Sequence, residues 1–321
     1  IENVNAILKE YGIPAPSELG TPGTYYQNTP RAQVVEERKK DDVVFIPIGT
    51  TECHGDYANN GLDVFNVTSI VEGVRRFIKD RDGHGPCMIQ PPLWYGAHPY
   101  HHIGMAGTIM LPDDVVKEIM INVMLGLWND GYRKQVWVNN HGHLWVLEAA
   151  IQEFGKRYQL PGIYRVIDWH RAVRELWAPI GGDEALETPF IHADEAEASC
   201  GMLMFDEMVD MSTAVDTVPD SLLPGGHFDC SVDTYQRPHR WEQGHGHAKI
   251  EINGTPEGVV GCPSKGTAEK AKKPVAAILK YLTLVHDEIL EAYPPGKQPK
   301  VEDVTVRDPK EMEPFLKEPM S

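Results

Sequence analysis

Apolar positions along the chain fall into two rhythms. Val43-Val44-Phe45-Ile46-Pro47-Ile48-Gly49 is a short, nearly continuous apolar run, the pattern of a strand buried on both faces. Leu62 to Lys79 follows with apolar residues at 62, 65, 67, 70, 71, 74, 77 and 78, a helical spacing. Met88-Ile89, leading into Pro91-Pro92, reads as a strand end. Leu111-Pro112-Asp113-Asp114 starts a helix with proline and acids in its first turn, which runs to about Asp130 and stops at Gly131. Gln135 to Asn139 reads as strand, Leu144 to Tyr158 as helix, Gly162 to Ile167 as strand and Glu195 to Met208 as helix. Ala248 to Ile252 is a further candidate strand, and Thr267 to Tyr293 a long amphipathic helix whose start Pro274 interrupts. Strands alternating with helices predict an α/β fold, a mainly parallel sheet flanked by helices on both faces.

Residues 1–42 are polar, carry Gly20-Thr21-Pro22-Gly23 and end in the charge run Glu36 to Asp42, so they read as an N-terminal arm. Residues 43–293 form the expected domain, with an insert at 221–246, and the Pro- and charge-rich segment 294–321 reads as a tail over the surface. Composition narrows the function. With 30 Lys+Arg against 47 Asp+Glu the net charge is −17, which argues against a nucleic-acid or anionic-membrane binder that needs a positive face. No apolar run reaches the length of a membrane span, and Ile1 to Glu10 carry no basic segment followed by an apolar one, so no secretion signal is expected there. Cysteines at 53, 87, 200, 230 and 262 are odd in number and far apart, neither a disulfide framework nor a zinc module. A reducing cytoplasm is the expected compartment.

Fourteen histidines, mostly clustered with acids and glycines, carry the candidate chemistry. In parallel sheets, ligands bind in the loops at the carboxyl ends of strands. There the chain places Gly49-Thr50-Thr51-Glu52-Cys53-His54-Gly55 with Asp63 beyond it, Asn139-Asn140-His141-Gly142-His143, Asp168-Trp169-His170, and His192-Ala193-Asp194-Glu195-Ala196-Glu197 opening a helix. Glu52, His54, Asp63 and His141 form a mixed nitrogen and oxygen donor set suited to Zn²⁺, Mn²⁺ or a similar divalent ion. A carboxylate such as Asp63 can bridge two ions, and a two-metal site would activate water and polarise a carbonyl. The stretch Trp94-Tyr95-Gly96-Ala97-His98-Pro99-Tyr100-His101-His102 is dense in rings that stack on and hydrogen-bond to a small polar cyclic substrate. Tyr100, Trp169, His102 and His143 are the candidate substrate contacts. In the insert, Gly225-Gly226-His227, Pro238-His239-Arg240-Trp241 and Gly244-His245-Gly246-His247 suit either a lid or a surface loop.

These motifs resemble the creatininase family. Gly49-Thr50-Thr51-Glu52-Cys53-His54-Gly55 with Asp63 is similar to the family's Gly-Ser-x-Glu-Gln-His-Gly and its spaced Asp. Asn140-His141-Gly142-His143 resembles Asn-Gly-His-Gly-Gly-Asn, shifted in its flanks, and His192 to Ser199 resembles His-Ala-Gly-Glu-x-Glu-Thr-Ser. His102 to Thr108 is similar to the family's His-x-x-Phe-Pro-Gly-Thr turn, and Gly258 to Pro263 with Glu269-Lys270 to its close. The matches keep family order over roughly residues 43 to 285, with Cys53, Asp194 and Ala198 as departures.

The resemblance implies a creatininase-like fold and a two-metal hydrolase, commonly a hexamer. By that resemblance Glu52 and His141 hold one ion, His54 the other, and Asp63 bridges. The last ligand is Glu195, the preferred choice, or His143, with His143 otherwise behind the ligands or on the substrate. His192 is the candidate to carry a proton to the leaving group. The implied reaction is attack of a metal-bridging hydroxide on a carbonyl of a small polar ring, opening a cyclic amide. Its alternative is C–C opening of a cyclic diketone such as 3-dehydro-scyllo-inosose in inositol catabolism. A peptide-maturation role and a non-catalytic metal-binding role are further alternatives.

Overall fold

The computed structural model describes residues 4–11, 23, 25–88, 94–97, 102–177, 185–217, 255–300 and 308–316. Strands β1 (Val43–Ile48), β2 (Cys87–Met88), β3 (Lys134–Asn139) and β4 (Ile163–Asp168) form one parallel sheet in the order β2-β1-β3-β4. Helices α1 (Val4–Glu10), α2 (Arg31–Arg38), α3 (Leu62–Asp82), α4 (Asp113–Asn129), α5 (Leu144–Tyr158) and α6 (Trp169–Ala172) precede α7 (Glu195–Met204), α8 (Ala268–Ala292) and α9 (Pro309–Met312). The alternation read from the sequence is therefore the architecture.

Every residue of β1 and β3 is buried, because side chains alternate between two covered faces. On one face Val43, Phe45, Val136, Val138 and Ile167 pack against Val67, Ile70 and Val74 of α3, Cys200 of α7 and Ile278 and Leu282 of α8. On the other, Val44, Ile46, Ile48 and Trp137 meet Val116, Met120 and Met124 of α4 and Leu147, Ala150 and Phe154 of α5. α3 leads from β1 outward to β2, and the chain then returns over the opposite face to β3. The direction of strand order thus reverses between β1 and β3, and the crevice at their carboxyl ends is where such sheets bind ligands. Pairing Ile48↔Asn139 and Asn139↔Asp168 sets the ends of β1, β3 and β4 level, so their outgoing loops lie side by side.

Two elements differ from expectation. α7 ends at Met204, since Phe205 leaves the helical region (φ −159°, ψ 62°), and a separate 3₁₀ turn holds Asp206–Met208. α8 runs unbroken through Pro274, which is buried in its second turn, so packing outweighs the lost backbone hydrogen bond. The candidate strand 248–252, the insert 221–246 and Tyr100 lie outside the described residues.

Segments flanking the sheet are tied to it. Val34 of α2 and Met312 of α9 enter the α4/α5 core, and Arg38 pairs with Asp130 at 2.7 Å. Buried Lys134 binds Asp42 at 2.5 Å and the carbonyls of Tyr293 and Pro294 at 2.6 and 3.1 Å, joining the end of α8 to the amino edge of the sheet. Among the described residues no helix is long and apolar enough to cross a membrane.

Candidate metal centre

Gly49 makes the site possible. A Cβ there would lie 2.9 Å from the Cβ and carbonyl carbon of Asp63, so only glycine lets the first turn of α3 close onto the end of β1. Asp63 is thereby set beside Glu52 and His54, and the β3 loop brings His141 to the same point.

Three imidazoles are oriented in one way. His54 Nδ1 donates to the Glu52 carbonyl at 2.9 Å, His141 Nε2 to the Ala97 carbonyl at 3.1 Å and His192 Nε2 to the Cys53 carbonyl at 2.8 Å. A carbonyl only accepts, so each contact fixes which nitrogen bears hydrogen and turns the other inward. The inward nitrogens face carboxylates. His54 Nε2 is 3.6 Å from Asp63 Oδ1 and 3.6 Å from Glu197 Oε2. His141 Nδ1 is 2.9 Å from Asp63 Oδ2 and 3.3 Å from Glu52 Oε2. His192 Nδ1 lies 3.7 Å from Glu52 Oε1 and 4.0 Å from Glu197 Oε2.

The carboxylates are anchored from behind. His102 Nδ1 donates to Glu52 Oε1 at 2.5 Å. Asn140 Nδ2 donates to Asp63 Oδ1 at 3.0 Å, and Asn140 Oδ1 accepts from the Trp169 indole. Glu197 Oε2 accepts from the Ala193 backbone, where Ala193 takes a positive φ of 47°, a strained position of the kind found at functional sites. Asp194 caps α7 by accepting from Ala196 and Glu197 N–H at 2.9 and 3.2 Å.

Burial and charge oppose each other within the cluster. Burial alone would raise Asp63 and Glu52, yet the surrounding imidazoles hold both carboxyls well below the usual range. Burial would lower His54, but Glu197, Asp63 and Glu52 overcome it and raise the imidazole to about 10. Burial pushes Glu197 up and pulls His192 down to about 3, leaving His192 neutral. Glu52 Oε2, Asp63 Oδ2 and His54 Nε2 are buried without a hydrogen-bond partner, a state that costs free energy unless a cation serves them. Donor atoms of Glu52, His54 and Asp63 lie within 4.8 Å of one another, as do those of His54, His192 and Glu197 and those of Glu52, His102 and His192. A divalent cation fits this oxygen and imidazole donor set.

Glu52, His54, Asp63, His141 and His192 thus come together as the sequence suggested. Glu195 does not. Its carboxylate is turned to Lys270 Nζ at 2.5 Å and to the Glu187 and Thr188 backbone at 3.0 and 2.9 Å. Glu197 stands in the cluster instead. Residues two apart on a helix point about 200° away from each other, so only one of the pair can face the site. The later Lys270 was the signal for which one. His143, the other candidate ligand, is fully buried with its ring between Ala97 and Asn139. His102 is buried on Glu52 and Trp169 on Asn140, so the first orients a cluster carboxylate directly and the second through the Asn140 amide. The Ala97 and Cys53 carbonyls carry no side-chain signal, and Asn140 acts through its amide on Asp63.

The family model described as creatininase, creatinine amidohydrolase, matches residues 27–285. The chain belongs to the creatininase family. A 3-dehydro-scyllo-inosose hydrolase of Thermotoga maritima is 40% identical over 299 residues, covering 93% of this chain and 94% of that protein. A creatininase structure designated Mn is similar with a TM-score of 0.60 at 18% identity, over 85% of this chain and 99% of that one. A Glu-to-Gln creatininase variant designated Zn–Zn type gives 0.60 at 19%, over 86% and 100%. The protein is a metal-dependent hydrolase of this family on a creatininase-like α/β fold. At the departure Cys53 the backbone serves the site, its N–H donating to Thr108 Oγ1 and its carbonyl accepting from His192 Nε2.

Proposed function

We propose that the enzyme opens a small polyhydroxylated ring by hydrolysing a C–C bond beside a carbonyl, with 3-dehydro-scyllo-inosose or a close cyclic diketone as substrate. The observation that carries this is the 40% identity to the Thermotoga maritima hydrolase across nearly both full lengths. Two divalent ions, Zn²⁺ or Mn²⁺, are the proposed cofactors. Glu52 and His141 would hold one, His54 and Glu197 the other, and Asp63 would bridge. When bound, such ions polarise a carbonyl and make water nucleophilic near neutral pH.

The chain's own groups do the rest. His102 keeps Glu52 aimed, and Asn140 with Trp169 keeps Asp63 aimed. His192, neutral and held at Nε2 by the Cys53 carbonyl, presents the Nδ1 lone pair to the cluster. At that atom it takes a proton from attacking water and returns it to the departing carbon. Cleavage of a C–N bond in a cyclic amide needs the same groups, and the family model's description favours it as the second reading. A homo-oligomer working in the cytoplasm on a free small molecule completes the proposal.

The test is turnover of Zn²⁺- or Mn²⁺-loaded protein on 3-dehydro-scyllo-inosose and on creatinine, followed by mass spectrometry. Gain of one water by the diketone alone is expected. Hydrolysis of creatinine alone would favour the C–N reading.

A further inference from the structure

We infer that His143 is a positioning residue that sets the metal-facing nitrogen of His141 through the backbone of Ala97. This rests on the reading of His141 as a ligand. The His143 ring bridges two backbone segments. Its Nδ1 accepts from the Ala97 N–H at 3.2 Å and its Nε2 donates to Asn139 Oδ1 at 3.0 Å. The Ala97 carbonyl is in turn the acceptor for His141 Nε2 at 3.1 Å. Ala97 therefore receives orientation from His143 at its N–H and delivers it, across its Cα, to His141 at its carbonyl.

Asn139 closes the ring of contacts. Its Oδ1 also accepts from the His141 backbone N–H at 3.2 Å, and its Nδ2 donates to the His141 carbonyl at 2.6 Å and to Asp168 at 2.9 Å. The two imidazoles pack edge to face with centroids 4.7 Å apart. The fit leaves no slack, because a Cβ on Gly96 would lie 2.6 Å from His143 Cε1 and Nδ1. His143 thus occupies a place next to the metal cluster without offering it a donor, since one ring nitrogen already accepts and the other already donates. A group behind a metal-binding imidazole raises its affinity by fixing its tautomer and direction, and losing such a group typically weakens binding about 10- to 100-fold.

The experiment is Zn²⁺ titration of metal-free full-length protein, read by calorimetry and elemental analysis, for wild type, His143→Leu and His143→Gln. Glutamine offers one acceptor and one donor about as far apart as the two ring nitrogens. The expected result is selective weakening of one ion about 10-fold or more in His143→Leu, the second ion unchanged, and recovery in His143→Gln. Unchanged affinity for both ions in His143→Leu would overturn the inference, as would equal weakening of both. Wild type that binds no Zn²⁺ would instead overturn the ligand reading beneath it.

Should His143→Leu fail to fold, long-range proton–nitrogen correlation on metal-free wild type decides the matter. Both His141 and His143 should carry hydrogen on Nε2. Hydrogen on Nδ1 of His143 is incompatible with acceptance from Ala97 and would refute the assignment.

Discussion

Replacing Glu195 and Glu197 separately by Gln should produce opposite outcomes, although the two residues are two positions apart on α7. Glu195 is fully buried and accepts from Lys270, Thr188 Oγ1 and the Glu187 and Thr188 backbone. Removing one partner of a buried pair typically costs about 3–5 kcal/mol. The lower end applies here, because glutamine keeps one acceptor oxygen and Lys270 keeps Glu187 at 3.0 Å and the Lys265 carbonyl at 2.9 Å. At about 2 °C per kcal/mol for a chain of this size, Glu195→Gln should melt about 6 °C below wild type. Its response to Zn²⁺ should survive.

Glu197→Gln replaces an acid that burial already drives toward its neutral form in the metal-free state, so that form should melt close to wild type. It should lose the added stability of the ion it would hold, about 2.7 kcal/mol or roughly 5 °C when the ion is at 100 times its dissociation constant. Differential scanning fluorimetry with and without Zn²⁺ reads both effects. If Glu195→Gln lost the Zn²⁺ shift while Glu197→Gln kept it, the assignment of the two carboxylates would be reversed.

Trp169→Phe removes the donor to Asn140 and should leave the fold intact at a cost of about 1–2 kcal/mol, while Zn²⁺ affinity falls about 10-fold by competition titration; unchanged affinity would cut Trp169 out of the support for Asp63. His286 is buried between Asp41 at 2.8 Å and Asp287 at 2.9 Å; burial lowers its pKa but these carboxylates raise it overall. Its charged form therefore stabilises the fold fully below the unfolded value of about 6.5, and that stability fades as pH rises through the folded value. His286→Gln should lose more stability in urea melts at about pH 6 than at about pH 9, and a loss that grew with pH would contradict this. Chelator treatment should lower the melting temperature of the loaded enzyme and Zn²⁺ should restore it, whereas no response to either would deny a structural share to the ions.

Periodicity made the sheet legible because β1 and β3 are buried on both faces and α3, α4 and α5 each cover one of them. Strand-end loops then located Glu52, His54, Asp63 and His141 without any coordinate. What stayed illegible depended on direction rather than on residue type. Glu195 and Glu197 are chemically equal, and only a lysine some 75 positions later separates them. His143 and Trp169 carry rings that suit a substrate contact, and the sequence does not show that backbone and amide partners hold those rings beside the cluster. Backbone carbonyls fix three imidazoles, and no side-chain pattern announces a carbonyl. Pro274 misled because a proline cost is local whereas the packing of α8 extends along its whole buried stripe.

Glu52, His54, Asp63, His141 and Glu197 are the residues proposed to hold two divalent ions. Elemental analysis of protein purified without added metal or chelator, beside Asp63→Asn prepared in the same way, tests it most directly. About two equivalents of Zn or Mn per wild-type chain and loss of both in the variant are expected, since Asp63 would serve both ions. Wild type without metal that takes up none at micromolar supply, or Asp63→Asn that retains two equivalents, would contradict it.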